Sequence, residues 1–158
     1  MTRYPTPECV GAVPSDDLAD SIAPLGLTKR AEYLGRCSGQ LLDRHDGEVP
    51  ERYSDLLALH GVGDYTARSV AVHAFGRNTT AVDTNVRRLV SRFFDVGPDT
   101  VEVIADPIVP AGRSSDFLHA MLDFAADVCT AQVPNCDDCP VWRHCDFSET
   151  TDDVPVSA

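Results

Sequence analysis

Lysine is almost absent from this sequence, which has a single one, Lys29, among its 13 basic residues. The 25 acidic residues are mostly aspartate, and the formal net charge is −12. Because affinity for phosphate depends mostly on positive charge, this total argues against a nucleic-acid partner. Aspartate-rich, lysine-poor composition keeps a protein hydrated in strong salt, so we expect a halophilic prokaryote, an archaeon, as the source.

Several other patterns are missing. No apolar run approaches the ~18 residues of a membrane span, and the N-terminus lacks the basic-then-apolar order of a secretion signal. No stretch alternates between apolar and polar residues, and no internal repeat is visible. These absences argue against a membrane protein, a secreted protein, a β-fold and a solenoid, so we expect a cytoplasmic protein.

The charge is unevenly distributed along the chain. Residues 1–58 carry a net −4 and residues 93–158 a net −11, whereas residues 59–92 carry +3. This basic stretch in the middle third is where a nucleic acid would bind if the protein has such a partner.

The periodic stretches predict an all-α fold with short loops. The predicted helices run from Ser15 to Pro24, from Thr28 to Gly47, near Glu51 to Leu57, from Asp64 to Gly76, from Asp83 or Thr84 to Phe94, from Pro98, and from Ser114 or Ser115 to about Cys129. The residues after Cys145 are acidic and have no pattern that would bury them, and we expect 148–158 to be a mobile tail.

A tight turn joins two predicted helices at Leu59-His60-Gly61-Val62-Gly63. Two glycines separated by one residue allow a sharp turn, and amide groups at the start of the next helix can bind an anion. Phosphate binding and a plain structural turn are both compatible with this pattern. Arg68, Arg77, Arg87, Arg88 and Arg92 follow in the basic stretch and favour phosphate binding.

Asp83 begins the helix that follows, within Val82-Asp83-Thr84-Asn85. Aspartate is a good helix N-cap, which is a sufficient structural reason for its presence. A carboxylate held at a helix start can also stabilise developing positive charge or orient a water. The two interpretations are compatible.

Four of the six cysteines form a C-x6-C-x2-C-x5-C array: Cys129, Cys136, Cys139 and Cys145. Four thiolates within 17 residues can bind one metal centre, either a tetrahedral zinc or a [4Fe-4S] cube, and the spacing does not choose between them. Reduced cysteines without a metal are the alternative. Cys9 and Cys37 are distant in sequence, and we expect them to be packing residues.

These motifs together resemble the helix-hairpin-helix (HhH-GPD) DNA glycosylases of the endonuclease III type. The hairpin Leu-x-Gly-Val-Gly is followed by Val-Asp, with Asp83 20 positions after Gly63, and then by the cysteine array. Further segments look most like the thymine/uracil mismatch glycosylases of that superfamily. They are Gly26-Leu27-Thr28-Lys29-Arg30-Ala31-Glu32, Gly63-Asp64-Tyr65-Thr66, Val109-Pro110-Ala111-Gly112-Arg113 and Met121-Leu122-Asp123-Phe124.

The resemblance implies a role for each matching residue. Asp83 corresponds to the catalytic aspartate, the four cysteines of the array correspond to the ligands of a [4Fe-4S] cluster, and the hairpin would contact DNA phosphates. The DNA-binding residues that we predict are Gly61, Val62, Gly63, Thr66, Arg68, Arg87 and Arg143.

Tyr65 stands where bifunctional relatives have a lysine that attacks the sugar and leads to strand cleavage. A phenol cannot form the Schiff base, so the resemblance implies a monofunctional enzyme in which water is the nucleophile. Adenine-removing relatives usually have serine there, whereas the mismatch-thymine group has tyrosine. A structural role for Tyr65, packed beneath the hairpin, is the alternative.

The resemblance implies a helical barrel lobe over 1–77 and a cluster lobe over 78–147. Family members carry an additional N-terminal segment, and we expect its helix to be missing from this chain. The expected function is removal of thymine or uracil opposite guanine from double-stranded DNA by a monomer, in base-excision repair. An adenine glycosylase acting on A·G or A·8-oxoguanine mispairs and a truncated, inactive DNA-binding remnant are the alternatives.

Overall fold

The computed structural model describes residues 3–147, and all regular structure within that range is helical. The α-helices are α1 (Pro7–Gly11), α2 (Ser15–Ile22), α3 (Ala31–His45), α4 (Tyr53–Leu57), α5 (Asp64–His73), α6 (Thr84–Phe93), α7 (Pro98–Ala105) and α8 (Ser114–Asp127). Short 3-10 turns cover Ala23–Leu25, Thr28–Arg30 and Trp142–His144. The all-α prediction is confirmed, and none of the described helices could cross a membrane.

The chain divides into two compact units, Met1–Ala67 and Arg68–Ala158, and the dividing point lies inside α5. The lobe boundary that we predicted, between residues 77 and 78, lies further along the chain and stays a prediction. The predicted tail, 148–158, is outside the described residues.

The first unit is built around α3, which packs against α1 and α2. Leu18, Ala31 and Leu41 supply its buried apolar contacts, and the hydroxyl of Ser38 donates a hydrogen bond to the carbonyl of Pro7. The sequence analysis did not predict α1. Its start has ordinary signals, because Thr6 is the N-cap and Pro7 occupies the first turn, but five residues are too few to show a period.

The start of α3 also differs from the prediction. The predicted helix begins at Thr28, but this residue lies in a 3-10 turn, and α3 begins at Ala31 after Arg30. No side-chain hydrogen bond caps this start, and Ala31 is buried at the first position of the helix.

The second unit packs α6, α7 and α8 around one apolar cluster. Val86 and Val90 of α6 meet Val101 of α7 and Leu118 of α8, and all four side chains are almost fully buried. The valines lie four residues apart on one face of α6, which leaves the arginines of this helix on other faces. Burial of one α6 face therefore directs its polar side chains away from the core.

The turn between α4 and α5 is tight because of Gly61. Its φ is +78°, which side chains rarely adopt, and a Cβ there would lie 2.8 Å from the Cβ of Tyr33. The Tyr33 ring also meets the His60 ring edge-on at 5.1 Å, and the amide of His60 donates to Gln40 Oε1 at 2.5 Å. These contacts hold the turn against α3.

We predict that Gly61→Ala destabilises the protein by roughly 1–3 kcal/mol, the usual cost of a strained backbone conformation. Gly63→Ala is the matched control, because Gly63 has no positive φ and its added Cβ would meet no atom within 4 Å. Urea unfolding followed by circular dichroism measures both free energies of unfolding. Equal stability of the two variants would contradict the role given to Tyr33 packing.

Candidate functional site

The start of α5 is an exposed helix N-terminus that directly follows the glycine turn. Gly63, Tyr65 and Thr66 are exposed, and space is open around the Cα of Gly63. The first amides of a helix have no acceptor within their own helix, and they carry the positive end of its dipole. The hydroxyl of Tyr53 donates to Asp64 Oδ1, which holds the first α5 carboxylate against α4. This end of α5 can accept a phosphate.

Tyr65 lies in the first turn of α5, and 40% of its surface is exposed. The remainder of the side chain is covered, so the ring can both pack beside the hairpin and offer an exposed edge. Its ring is available to a ligand.

Asp83 caps α6 through its own carboxylate. Oδ1 accepts from the amides of Asn85 and Val86, both at 2.8 Å, and Oδ2 accepts from Asn85 Nδ2 at 3.0 Å. The N-cap interpretation is therefore confirmed. Oδ1 accepts from two donors, whereas Oδ2 accepts from Asn85 Nδ2 and keeps a further lone pair. The carboxylate is half-buried and rigidly oriented, which is also what an electrostatic catalyst requires.

Arg68 is held inside the second unit by Asp106. Its Nη1 lies 3.1 Å from Asp106 Oδ2 and 2.8 Å from Thr79 Oγ1, and the amide of Thr80 donates to Asp106 Oδ1 at 2.9 Å. Burial opposes ionisation of Asp106, but the hydrogen bonds from Thr80, Thr79 and Arg68 lower the pKa of its carboxyl below the usual value. The ion pair between Arg68 and Asp106 thus connects α5 to the C-terminal end of α7.

Arg87 has comparable internal partners. It lies 2.6 Å from Glu102 Oε1 and donates to the carbonyl of Pro98 at 2.8 Å, so it connects α6 to α7. Arg143 differs, because it is exposed and stacks over the Trp142 ring at 5.4 Å. Of these three predicted DNA contacts, Arg143 is the most exposed cation. Arg68 and Arg87 are already paired with carboxylates of the protein.

The four cysteines of the array line one small cavity after α8. All are half-buried and none forms a disulfide. Burial raises the pKa of the Cys136 thiol, the thiols of Cys139, Cys145 and Cys129 raise it further, and Arg92 lowers it. Among residues 3–147, no three His, Cys, Asp or Glu side chains are grouped closely enough to hold a single metal ion. The tertiary structure nevertheless brings together four donors that are as much as 16 residues apart in sequence.

Two arginines of α6 fasten the start of this cysteine loop. Arg88 donates to the carbonyls of Cys129, at 3.0 Å, and Ala125, at 2.8 Å. Arg92 donates to the carbonyls of Thr130, at 2.7 Å, and Ala131, at 3.2 Å. From sequence, both residues were assigned only to the basic stretch 59–92. Their i, i+4 spacing on α6 was the available signal for a shared target.

Comparison with known proteins agrees with this geometry. Residues 1–106 match the family model of the HhH-GPD superfamily base excision DNA repair protein. An adenine DNA glycosylase of Mycobacterium tuberculosis (strain ATCC 25618 / H37Rv) is 35% identical over 93% of this chain and 52% of its own length. A thymine/uracil-DNA glycosylase of Methanothermobacter thermautotrophicus is 30% identical over 94% of this chain and 71% of its own length. The chain thus spans about half of the mycobacterial relative.

Two solved structures share the fold. A thermostable thymine-DNA glycosylase matches with a TM-score of 0.88 and 29% identity, over 94% of this chain and 72% of that one. Endonuclease III in a trapped covalent intermediate with DNA matches with a TM-score of 0.82 and 34% identity, over the same shares. The sequence motifs, the all-helical architecture and the family match agree, and the chain belongs to the HhH-GPD superfamily of base excision DNA repair proteins.

Proposed function

We propose that the protein is a monofunctional DNA N-glycosylase that removes thymine or uracil opposite guanine. The observation that carries the proposal is the fixed carboxylate of Asp83 in a chain whose position 65 is tyrosine. The similarity to thymine/uracil-DNA glycosylase supports this substrate. The 35% identity to an adenine DNA glycosylase favours adenine opposite guanine or 8-oxoguanine as the second candidate.

The reaction follows from the side chains. The target nucleotide must first leave the base stack, which costs a few kcal/mol and least at a mismatch. Cleavage of the bond between base and sugar leaves positive charge on the sugar, and the Asp83 carboxylate stabilises that charge while water adds. Since the hydrogen bonds of Asp83 are already made, its orientation costs no reorganisation during the reaction.

Tyr65 limits the chemistry to hydrolysis. The phenol cannot form an imine with the sugar, and the sole lysine of the sequence, Lys29, lies in a 3-10 turn before α3 rather than on α5. We therefore assign Tyr65 to contact with the extruded nucleotide and not to covalent catalysis. Double-stranded DNA is the partner, Gly61, Val62, Gly63 and Thr66 contact its phosphates, and the protein acts as a monomer.

The four cysteines of the array would hold a [4Fe-4S] cluster. The fit rests on the donor set, because four thiols surround one cavity and none is in a disulfide. A single tetrahedral zinc needs sulfurs within about 4 Å of one another, whereas the irons of a cube are bound by thiolates that lie further apart. When bound, the cluster supplies no step of base release and fixes the loop that carries Arg143.

We expect Asp83→Asn to slow base release at least about 100-fold, the usual loss when one electrostatic group is removed. Asparagine is an equally good N-cap, so the free energy of unfolding should change little. The measurement is single-turnover release from G·T, G·U, A·G and A·8-oxoguanine duplexes, with alkali to cut at abasic sites. Asp99→Asn, an exposed carboxylate of α7, is the control.

Three results would contradict this proposal. A near-normal rate for Asp83→Asn would exclude the assigned mechanism. Strand breaks without alkali, or a borohydride-trapped complex, would exclude the monofunctional reaction. Faster base release from the A·8-oxoguanine duplex than from the G·T duplex would identify adenine, the second candidate, as the base that is removed.

We predict a shallow salt dependence of DNA binding. Arg68 and Arg87 are paired with carboxylates, and Arg88 and Arg92 are bound to main-chain carbonyls, so few cations are available to phosphates. Each neutralised phosphate contributes a slope of about −0.9, and we expect a total no steeper than about −2. Titration of a fluorescent duplex in increasing salt measures it. Arg143→Gln should remove about one unit, and a wild-type slope of about −5 would contradict the structural roles of these arginines.

Iron and sulfide analysis tests the cluster. Protein purified without air should contain about four irons and four sulfides per chain and show a visible absorption band. Cys139→Ser should lose both, whereas Cys37→Ser, a thiol of α3 outside the array, should keep them. Stoichiometric zinc in place of iron would overturn the assignment.

A further inference from the structure

Residues 74–83 connect α5 to α6 without forming a helix, and Asp83 is the last of them. Within this connection Thr80 and Ala81 are fully buried, and Val82 is nearly so. A buried main-chain amide outside a helix needs an acceptor from elsewhere in the protein. The path of the chain into Asp83 therefore depends on the group that supplies this acceptor.

The acceptor is the carboxylate of Asp106, the residue that directly follows α7. Its Oδ1 accepts from the amide of Thr80 at 2.9 Å and from the hydroxyl of Thr79 at 2.8 Å. A carboxylate at the C-terminal end of a helix lies near the negative end of the helix dipole, which disfavours it. The donors from residues 79 and 80 offset this repulsion, so the connection before Asp83 gives a physical reason for an aspartate at position 106.

Arg68 of α5 fixes the orientation of this carboxylate and of the Thr79 hydroxyl. Its Nη1 donates to Asp106 Oδ2 at 3.1 Å and to Thr79 Oγ1 at 2.8 Å. Because the hydroxyl accepts from Arg68, its one hydrogen is donated to Asp106 Oδ1. The three side chains form a closed ring of hydrogen bonds that joins α5, the connection and the end of α7.

A second carboxylate of α7, that of Glu102, forms the same kind of ion pair with a different part of the protein. It lies one turn before Asp106 and binds Arg87 of α6 at 2.6 Å. Arg87 also donates to the carbonyl of Pro98 at 2.8 Å. Removal of Glu102 therefore leaves Arg87 a partner and leaves the hydrogen bonds of residues 79 and 80 in place.

We propose that Asp106 is a positioning residue that places Asp83 by holding the two residues Thr79 and Thr80 shortly before it. The proposal rests on the catalytic role given to Asp83 above. Thr80 lies three residues before Asp83, and the residues between them are buried, so the intervening chain has little freedom to absorb a displacement. A shift of the chain at Thr80 therefore moves the start of α6 and the carboxylate that caps it.

The test compares Asp106→Ala with Glu102→Ala, which also removes one carboxylate and one ion pair at the same helix. Single-turnover base release from a saturating G·T duplex and the Kd for that duplex are measured separately, with circular dichroism for each protein. We expect Asp106→Ala to slow release between about 10-fold and 100-fold, the effect of misplacing a catalytic group, with Kd within about twofold of wild type. Glu102→Ala should keep a rate within about threefold of wild type. Asp106→Asn keeps an acceptor oxygen for Thr80 and should release base at least about threefold faster than Asp106→Ala.

Amide hydrogen exchange supplies a readout that does not depend on activity. In Asp106→Ala the amide of Thr80 should exchange at least about tenfold faster than in wild type, and in Glu102→Ala it should not change. The two threonines allow a matched pair of variants. Among the described residues the Thr80 hydroxyl has no hydrogen-bond partner, whereas the Thr79 hydroxyl binds both Arg68 and Asp106. Thr79→Val should therefore speed exchange of the amide at position 80, and Thr80→Val should leave that exchange slow.

Several outcomes would overturn the proposal. They are an equal slowing of base release by Asp106→Ala and Glu102→Ala, unchanged exchange of the Thr80 amide in Asp106→Ala, and an unshifted NMR signal of the Asp83 carboxyl carbon in that variant. If Asp106→Ala does not fold, Asp106→Asn and Thr79→Val decide by the same measurements. If the wild-type protein releases no base, the proposed function fails by itself, and the exchange rates and the Asp83 signal then decide whether Asp106 positions Asp83.

Discussion

The hydrogen bonds between the arginines of α6 and the main chain after α8 are the contact on which the second unit depends. Carbonyls at a helix C-terminus lack hydrogen-bond donors within their own helix, so donors must come from elsewhere in the protein. Arg88 and Arg92 satisfy four such carbonyls between Ala125 and Ala131. Both arginines belong to α6, whose valines pack in the core. The packing of α6 therefore also determines where the cysteine loop lies.

These internal hydrogen bonds change the interpretation of the basic stretch. Residues 59–92 carry +3, and this local charge first appeared to be a surface for DNA. Four of its five arginines are instead bound to carboxylates or carbonyls of the protein. These arginines therefore connect parts of the protein, and under the proposed function the exposed N-terminus of α5 is the group that would bind phosphate without side-chain charge.

Asp83 caps α6, and the proposed function gives the same side chain a chemical role. Its Oδ1 accepts from two amides in the first turn of α6, and its Oδ2 accepts from the Asn85 side chain. A carboxylate that caps a helix is oriented largely by the helix it begins, which is the preorganisation that the proposed electrostatic role requires. The tight Gly61 turn follows a similar logic, since its contact with Tyr33 fixes where α5 starts.

The sequence by itself determined most of the helices, the cap at Asp83, the tight turn at Gly61 and the cysteine array, because each depends on residues that are close along the chain. It did not reveal α1, because five residues are too few to show a helical period, or the true start of α3 at Ala31, where no side chain caps the helix. Only the tertiary structure decided the partners of the arginines. Asp106 and Glu102 lie 38 and 15 residues from the cations that they bind, and the carbonyls bound by Arg88 lie 37 and 41 residues away. Such pairs have no local pattern, since the apolar packing of α6, α7 and α8 creates them.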